Sequence, residues 1–288
     1  MRQTQVAEEF RTPRFLDAGS ATVCYRRAGD GPALVMLHGF PLSGMTWRRL
    51  VPELSKRFTC YAFDLVGLGD SISRDAADFS SPGQGRVMQQ ALRALGVSSY
   101  ALLGNDTGGW VARELALLDA GRVTHLALTN TEIPNHRPPW VSLYQRLARL
   151  PASDFGFRHV LGSRLLRRSP LAFGGCFHDL DFIDREFEEL FVRPLVTEPK
   201  RLAAALRFMV LMNFRWLDRL REAHSELSIP VSFLWGADDP TFRERDARAM
   251  LPQFPNVAGF TSVPDAKLFF YEEQPELVAR WVAEVVSA

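Results

Sequence analysis

The sequence predicts an α/β protein, in which a mostly parallel sheet is flanked by helices and a helical segment is inserted into it. Three observations predict it. Seven short β-rich runs end in or close to Gly or Asp, helical patterns lie between several of them, and residues 133–227 carry no strand pattern at all. In order, the runs are ATVCYRRAG (21–29), PALVMLHG (32–39), TCYAFDLVG (59–67), SYALLGND (99–106), HLALTNTE (125–132), PVSFLWGADD (230–239) and VAGFTSVPDA (257–266). Most are continuously apolar, as strands buried on both faces of a parallel sheet must be. The helical patterns are MTWRRLVPELSK, QGRVMQQALRALG, GWVARELALLDA and a closing PELVARWVAEVVSA. Strand and helix therefore alternate, the mark of this class.

The middle segment reads as helices. Its run RLAAALRFMVLMNFRWLDRL (201–220) has an apolar surface wider than one stripe, as for a helix pressed between a core and a second body. Prolines at 134, 138, 139, 194 and 199 punctuate the segment, and Pro134 to Pro139 is the expected hinge into it. Residues 1–132 and 228–288 are accordingly expected to form the core domain, and 133–227 a helical cap.

Composition narrows the function classes. The 288 residues carry 34 Lys plus Arg against 33 Asp plus Glu, a net charge of +1 that gives no electrostatic footprint for nucleic acid. Hydrophobic residues make up 47% and charged residues 23%, enough for a sizeable core. The longest apolar runs fall far short of the ~20 residues a bilayer span needs, so no membrane partner is expected. The opening MRQTQVAEEFRTPRF has no apolar stretch after its first basic residue and does not read as a secretory signal. Cys24, Cys60 and Cys176 are too few and too scattered for a disulfide framework, and no CxxC spacing points to zinc. A cytoplasmic protein without metal or organic cofactor is expected; its oligomeric state is not legible.

The strongest chemical signal is Gly104-Asn105-Asp106-Thr107-Gly108-Gly109, between a strand and a helix. Small residues around one reactive side chain suit a sharp strand-turn-helix elbow, whose central residue is strained and whose neighbouring backbones pack closely. That central residue is Asp106, whose carboxylate needs no deprotonation to attack an sp³ carbon and form an alkyl ester. Against this stands the simpler role of a helix cap, which would not require three glycines. A second signal, His38-Gly39-Phe40-Pro41, ends a strand. Its turn leaves the Phe40 backbone N–H free to join that of Thr107 as an oxyanion hole. His38 itself reads as a strand-end histidine bonded to backbone.

With Asp64-Leu65-Val66-Gly67-Leu68-Gly69-Asp70-Ser71, Leu234-Trp235-Gly236-Ala237-Asp238-Asp239 and the tail Glu272-Glu273-Gln274-Pro275-Glu276, these motifs resemble the α/β-hydrolase superfamily over nearly the whole chain. The Asp elbow is similar to that of haloalkane dehalogenases, fluoroacetate dehalogenases and soluble epoxide hydrolases. The resemblance implies that Asp106 is the nucleophile. It implies that Asp239 is the acid that orients a histidine, with Glu132 the other family position for that acid and Asp238 an immediate rival.

The histidine is missing. The family tail carries a Gly-His pair shortly before a run like EEQPE; here Lys267 and Leu268 stand in that place, and His224 is the last histidine in the chain. Ester hydrolysis needs a base within hydrogen-bond reach of the attacking water, worth ~10² to 10⁴ in rate. Three readings follow: a substitute base, chemistry that needs only Asp106, or no turnover. Lys267 and the cap histidines His136, His159 and His178 are the candidate substitutes. The family's leaving-group donors are also replaced, with Phe40 and Thr107 in the two halide-binding positions and Trp110 in place of a carboxylate-binding Arg. Tyr144 is the one cap tyrosine available to an epoxide oxygen. An apolar substrate pocket is expected from Phe40, Trp110, Trp140, Tyr144, Phe173, Phe177, Phe208, Phe214 and Trp216, suited to an uncharged, bulky small molecule. The rival is a catalytically inactive relative that binds such a molecule, or a lyase or cyclase using Asp106 as base.

Overall fold

A computed structural model describes residues 2–74 and 77–287. One mixed sheet of nine strands organises the chain, in the order β1-β2-β4-β3-β6-β7-β8-β9, with β5 paired to β2. The strands are β1 (Arg14–Asp17), β2 (Ala21–Ala28), β3 (Ala33–Leu37), β4 (Thr59–Phe63), β5 (Ile72–Ser73), β6 (Tyr100–Asn105), β7 (Val123–Thr129), β8 (Val231–Gly236) and β9 (Val257–Val263). From β4 across to β9 the pairing is parallel, while β2 runs antiparallel to β1 and β4. The seven runs expected from sequence all form strands, each shorter than its run. β1 and β5 lack a continuous apolar run, and β5 is only two residues long.

Three helices pack where the pattern placed them: α2 (Ser81–Ala94), α3 (Thr107–Leu118) and, at the end, α9 (Pro275–Ser287). MTWRRLVPELSK differs. It forms a 3₁₀ stretch over Gly44–Arg49 and a single α turn over Val51–Leu54, because Pro52 cannot sit in the interior of a continuous helix. An opening helix, α1 (Arg2–Arg11), and a short α8 (Glu244–Met250) were not legible in the pattern.

Between β7 and β8 the described residues hold helices and no strand. The longer ones are α4 (Pro139–Leu147), α5 (Ser153–Gly162), α6 (Pro199–Leu211) and α7 (Phe214–Ala223). The 201–220 run is thus two helices. Asn213 breaks it: its side chain accepts from Arg215 N at 3.0 Å and starts α7 afresh. α7 then lays Leu217 and Leu220 on Trp110 of α3, forming a small apolar cluster apart from the main core. Among the described residues, no helix is long and apolar enough to cross a membrane.

Register places the site. Leu37 pairs with Gly104, and Asn105 with Thr129, so β3, β6 and β7 end level with one another. The residues that follow each strand therefore emerge along one sheet edge: His38 to Phe40, Asp106, and Asn130 to Glu132. That carboxyl-end edge is where open α/β sheets place their ligands.

Candidate active site

Asp106 sits at the elbow with φ 49° and ψ −133°, a strained backbone for any residue but glycine. Close packing holds it there. A Cβ at Gly108 would lie 2.0 Å from the Leu37 carbonyl oxygen, and one at Gly104 would lie 2.6 Å from Gly109 Cα. Only glycine lets strand and helix approach so closely at these positions. The Asp106 side chain makes no hydrogen bond that caps α3, so capping does not account for it.

One carboxylate oxygen, Oδ2, accepts from the Phe40 backbone N–H at 2.8 Å, and the adjacent Thr107 N–H eases its charge. Of the two donors expected of an oxyanion hole, that of Phe40 is thus bonded to Asp106 itself. His38 fixes the turn that carries Phe40. Its Nε2 accepts from Leu65 N at 3.0 Å, which leaves the ring hydrogen on Nδ1 to donate to Gly39 O at 2.8 Å. Burial pushes its pKa down, and both nitrogens are engaged with backbone.

Beside Asp106 lies a cavity of about 550 Å³. Asp106, Thr107, Glu132 and Cys176 line it among apolar side chains, with Leu268 in the wall where the family histidine would stand. Trp140, Tyr144, Phe173, Phe214 and Phe40 line it as well. Trp110, Phe177, Phe208 and Trp216 do not. Trp110 stacks on Phe214 beneath α7, Phe177 packs between Phe182 and Phe187, and Trp216 lies under the Arg219 guanidinium. Phe208 of α6 stacks on Phe40 at 6.0 Å instead. These four are large apolar side chains that the core and cap used for packing, which composition cannot separate from ligand contact.

None of the six histidines lines the cavity. His136 contacts the Thr241 carbonyl oxygen at 2.9 Å, while His159 and His178 are exposed. Lys267 donates to Gly174 O at 3.4 Å and stays outside the lining. The substitutes expected from sequence are therefore directed elsewhere.

The two family acid positions fare differently. Asp239 is buried but outside the cavity wall, its Oδ2 accepting from Asn130 Nδ2 and its Oδ1 from Thr241 N, both at 2.7 Å. Asp238 is exposed on the surface. Glu132 lines the cavity next to Asp106, its Oε1 accepting from Thr107 Oγ at 3.0 Å. Burial raises the Asp106 pKa well above the ordinary value, with the Glu132 charge as the next cause, and burial raises that of Glu132 too. Two carboxyls in one dry chamber cannot both ionise cheaply, so charge on one raises the cost of charge on the other. Cys176 is kept a neutral thiol by burial and by the nearby acids. Thr131 and Arg113, which tie Glu132 to the elbow, and Asn130, which ties the elbow to Asp239, were missed from sequence; the only trace was the polar TNTE after an apolar strand.

Two clusters elsewhere have cation-like spacing. In the first, Cys24, Asp64 and Asp70, the Arg26 guanidinium already donates to both carboxylates at 3.1 and 3.0 Å. The second, His178, Asp238 and Asp265, is fully exposed.

Burial lifts the Asp239 pKa from 3.8 to about 6. A carboxyl whose folded pKa is raised makes the native state bind more protons, so its contribution to stability falls as pH rises through that window. About two pH units correspond to about 3 kcal/mol. The unfolding free energy of the wild type, relative to a non-titrating Asp239→Asn protein, is expected to drop by about this much between pH 4 and pH 7. Urea titrations across that range measure it, and a flat difference would contradict the burial effect.

Residues 32–274 match the alpha/beta hydrolase fold family. The chain belongs to that family. An uncharacterized protein of Mycobacterium tuberculosis is 27% identical over 237 residues, which take in 77% of this chain and 66% of that protein, just under two thirds of its length. A haloalkane dehalogenase of the same organism is 25% identical over 280 residues, covering 94% of this chain and 93% of that one. Among solved structures, the epoxide hydrolase CorEH superposes with a TM-score of 0.79 at 23% identity, over 95% of this chain and 97% of that one. That superposition shows the shared fold.

Proposed function

We propose that this alpha/beta hydrolase acts through Asp106 on a small to medium, uncharged, apolar electrophile, a haloalkane or an epoxide. The carrying observation is the Asp106 carboxyl, turned by a strained elbow into a 550 Å³ apolar cavity with the Phe40 N–H bonded to it at 2.8 Å. A carboxylate there meets its substrate without a water shell, and displacement at carbon gives an ester whose later oxyanion faces the Phe40 and Thr107 N–H groups. The helices of 133–227 act as the lid that keeps the chamber dry. Relatives that bear haloalkane dehalogenase and epoxide hydrolase names support the same classes of electrophile.

The protein incubated with styrene oxide or 1-bromohexane is expected to gain the mass of the opened epoxide or the hexyl group, located at Asp106 by peptide mapping. Unchanged mass with neither diol nor bromide released would overturn the reading. A second reading, a binder without turnover, is favoured by Leu268 in the histidine position. It predicts a ligand recovered intact that raises the melting temperature by mass action.

A further inference from the structure

Thr131 shows where a proton is held. Its Oγ lies 2.8 Å from the Asp106 carbonyl oxygen, 3.1 Å from Glu132 Oε2 and 3.1 Å from Arg113 Nη2. A threonine hydroxyl owns one hydrogen and accepts two. The carbonyl oxygen can only accept, so the hydroxyl hydrogen goes to it, at the shortest of the three contacts. Arg113 can only donate. The remaining contact sets two acceptors against each other unless Glu132 supplies the hydrogen. The other Glu132 oxygen, Oε1, accepts from the Thr107 hydroxyl at 3.0 Å. One oxygen that donates and one that accepts describe a neutral carboxylic acid, whereas Asp106, held by backbone N–H groups, is arranged as the carboxylate.

We infer that Glu132 carries the proton of the Asp106–Glu132 pair in the free enzyme and, once Asp106 is esterified, becomes the base that stands in for the missing histidine. The inference rests on the Asp106 reading above. Glu132 is the only acid besides Asp106 in the cavity wall among the described residues. An Asp106 oxygen bonds to the substrate carbon as the carbon–halogen or ring carbon–oxygen bond breaks, its electrons leaving with the halide or alkoxide. Esterification removes the Asp106 charge that made ionising Glu132 costly. The proton Glu132 then gives up ends on the alkoxide of an opened epoxide, or leaves the protein alongside halide. The Glu132 carboxylate takes a proton from water as the water oxygen adds to the Asp106 ester carbon, with the oxyanion on the Phe40 and Thr107 N–H groups. Collapse breaks the bond between that carbon and the alkoxy oxygen, the departing alkoxide takes the proton from Glu132, and Asp106, now an acid, returns one to Glu132.

Glu132→Gln tests this closely, because an amide can donate to Thr131 and accept from Thr107 as the neutral acid does. Intact-mass time courses with styrene oxide and 1-bromohexane at pH 7 are expected to show the adduct forming in both proteins. In the wild type it decays with release of diol or alcohol. In Glu132→Gln the decay is slower by about 10² to 10⁴. The variant is expected to melt no lower than the wild type. Product release by the variant at the wild-type rate, a wild-type adduct that never decays, or a variant that melts far below the wild type would each overturn the inference. If neither protein gains mass, the Asp106 reading fails instead, and the Glu132 assignment still has its own test. Difference infrared spectra at pH 7 are expected to show a protonated-carboxyl C=O band in the wild type that Glu132→Gln lacks; absence of that band in the wild type overturns it.

Discussion

Asp106→Asn is expected to gain no mass with either electrophile at any time, and to melt above the wild type at neutral pH. Both effects have one origin. The amide is a poor nucleophile, so the first bond never forms. The same change removes a carboxylate that burial makes costly, and with it the cost of keeping charge in a dry chamber. The fold gives the amide a place: the Phe40 N–H can still donate to its carbonyl oxygen, and asparagine tolerates positive φ better than most residues. Because a group with a raised folded pKa loses stability as pH rises, the gain of the variant over the wild type should grow from pH 4 to pH 8. Thermal melts and intact mass on the same samples check both halves. A variant still alkylated at the wild-type rate would move the nucleophile elsewhere. One that melts lower would mean the carboxylate is a net support of the fold.

Arg113→Met is expected to lose about 3 to 5 kcal/mol of stability, the range for removing one charge from a buried ionic network. Arg113 is fully buried on α3 and binds both sides of the site. Its Nε donates to Gly109 O at 3.0 Å, inside the elbow helix, while Nη2 donates to Glu132 O at 2.7 Å and to Thr131 Oγ at 3.1 Å. Burial lowers its pKa to about 10, which still leaves it charged at pH 7. Methionine would fill the volume but leave the Glu132 carbonyl and the Thr131 hydroxyl without the guanidinium donor and Glu114 without its cation. Arg113→Lys should recover part of the loss, since a point charge cannot reproduce the fork that reaches two segments. Urea unfolding of the three proteins measures this; a Met variant within about 1 kcal/mol of the wild type would show that the network adds little.

Much of the fold could be read from the sequence because strands buried on both faces, such as β3, β6 and β8, leave continuous apolar runs, whereas the mostly exposed β9 was found from its β-rich composition. β1 and β5 could not, because each is short and half exposed, with no run to find. The elbow was legible because glycines at 104, 108 and 109 are required by backbone approach, a demand local in sequence. The break at Asn213 was hidden, since a side chain turning to cap the next helix leaves the apolar spacing nearly unchanged. Cavity walls were the least legible: Trp140 and Tyr144 line the chamber, while Trp110, Phe208 and Trp216 are spent on packing. Which way an aromatic faces depends on partners far along the chain. The role of Glu132 was hidden for the same reason, since it follows from three hydroxyl and guanidinium contacts that no spacing encodes.

The stacking of Phe208 on Phe40 joins the roof of the chamber to the turn that grips the reactive acid. Leu202, Ala205, Leu206 and Met209 of the same helix, α6, line the chamber, so one pair of rings couples the shape of the wall to the position of the amide that holds the oxygen.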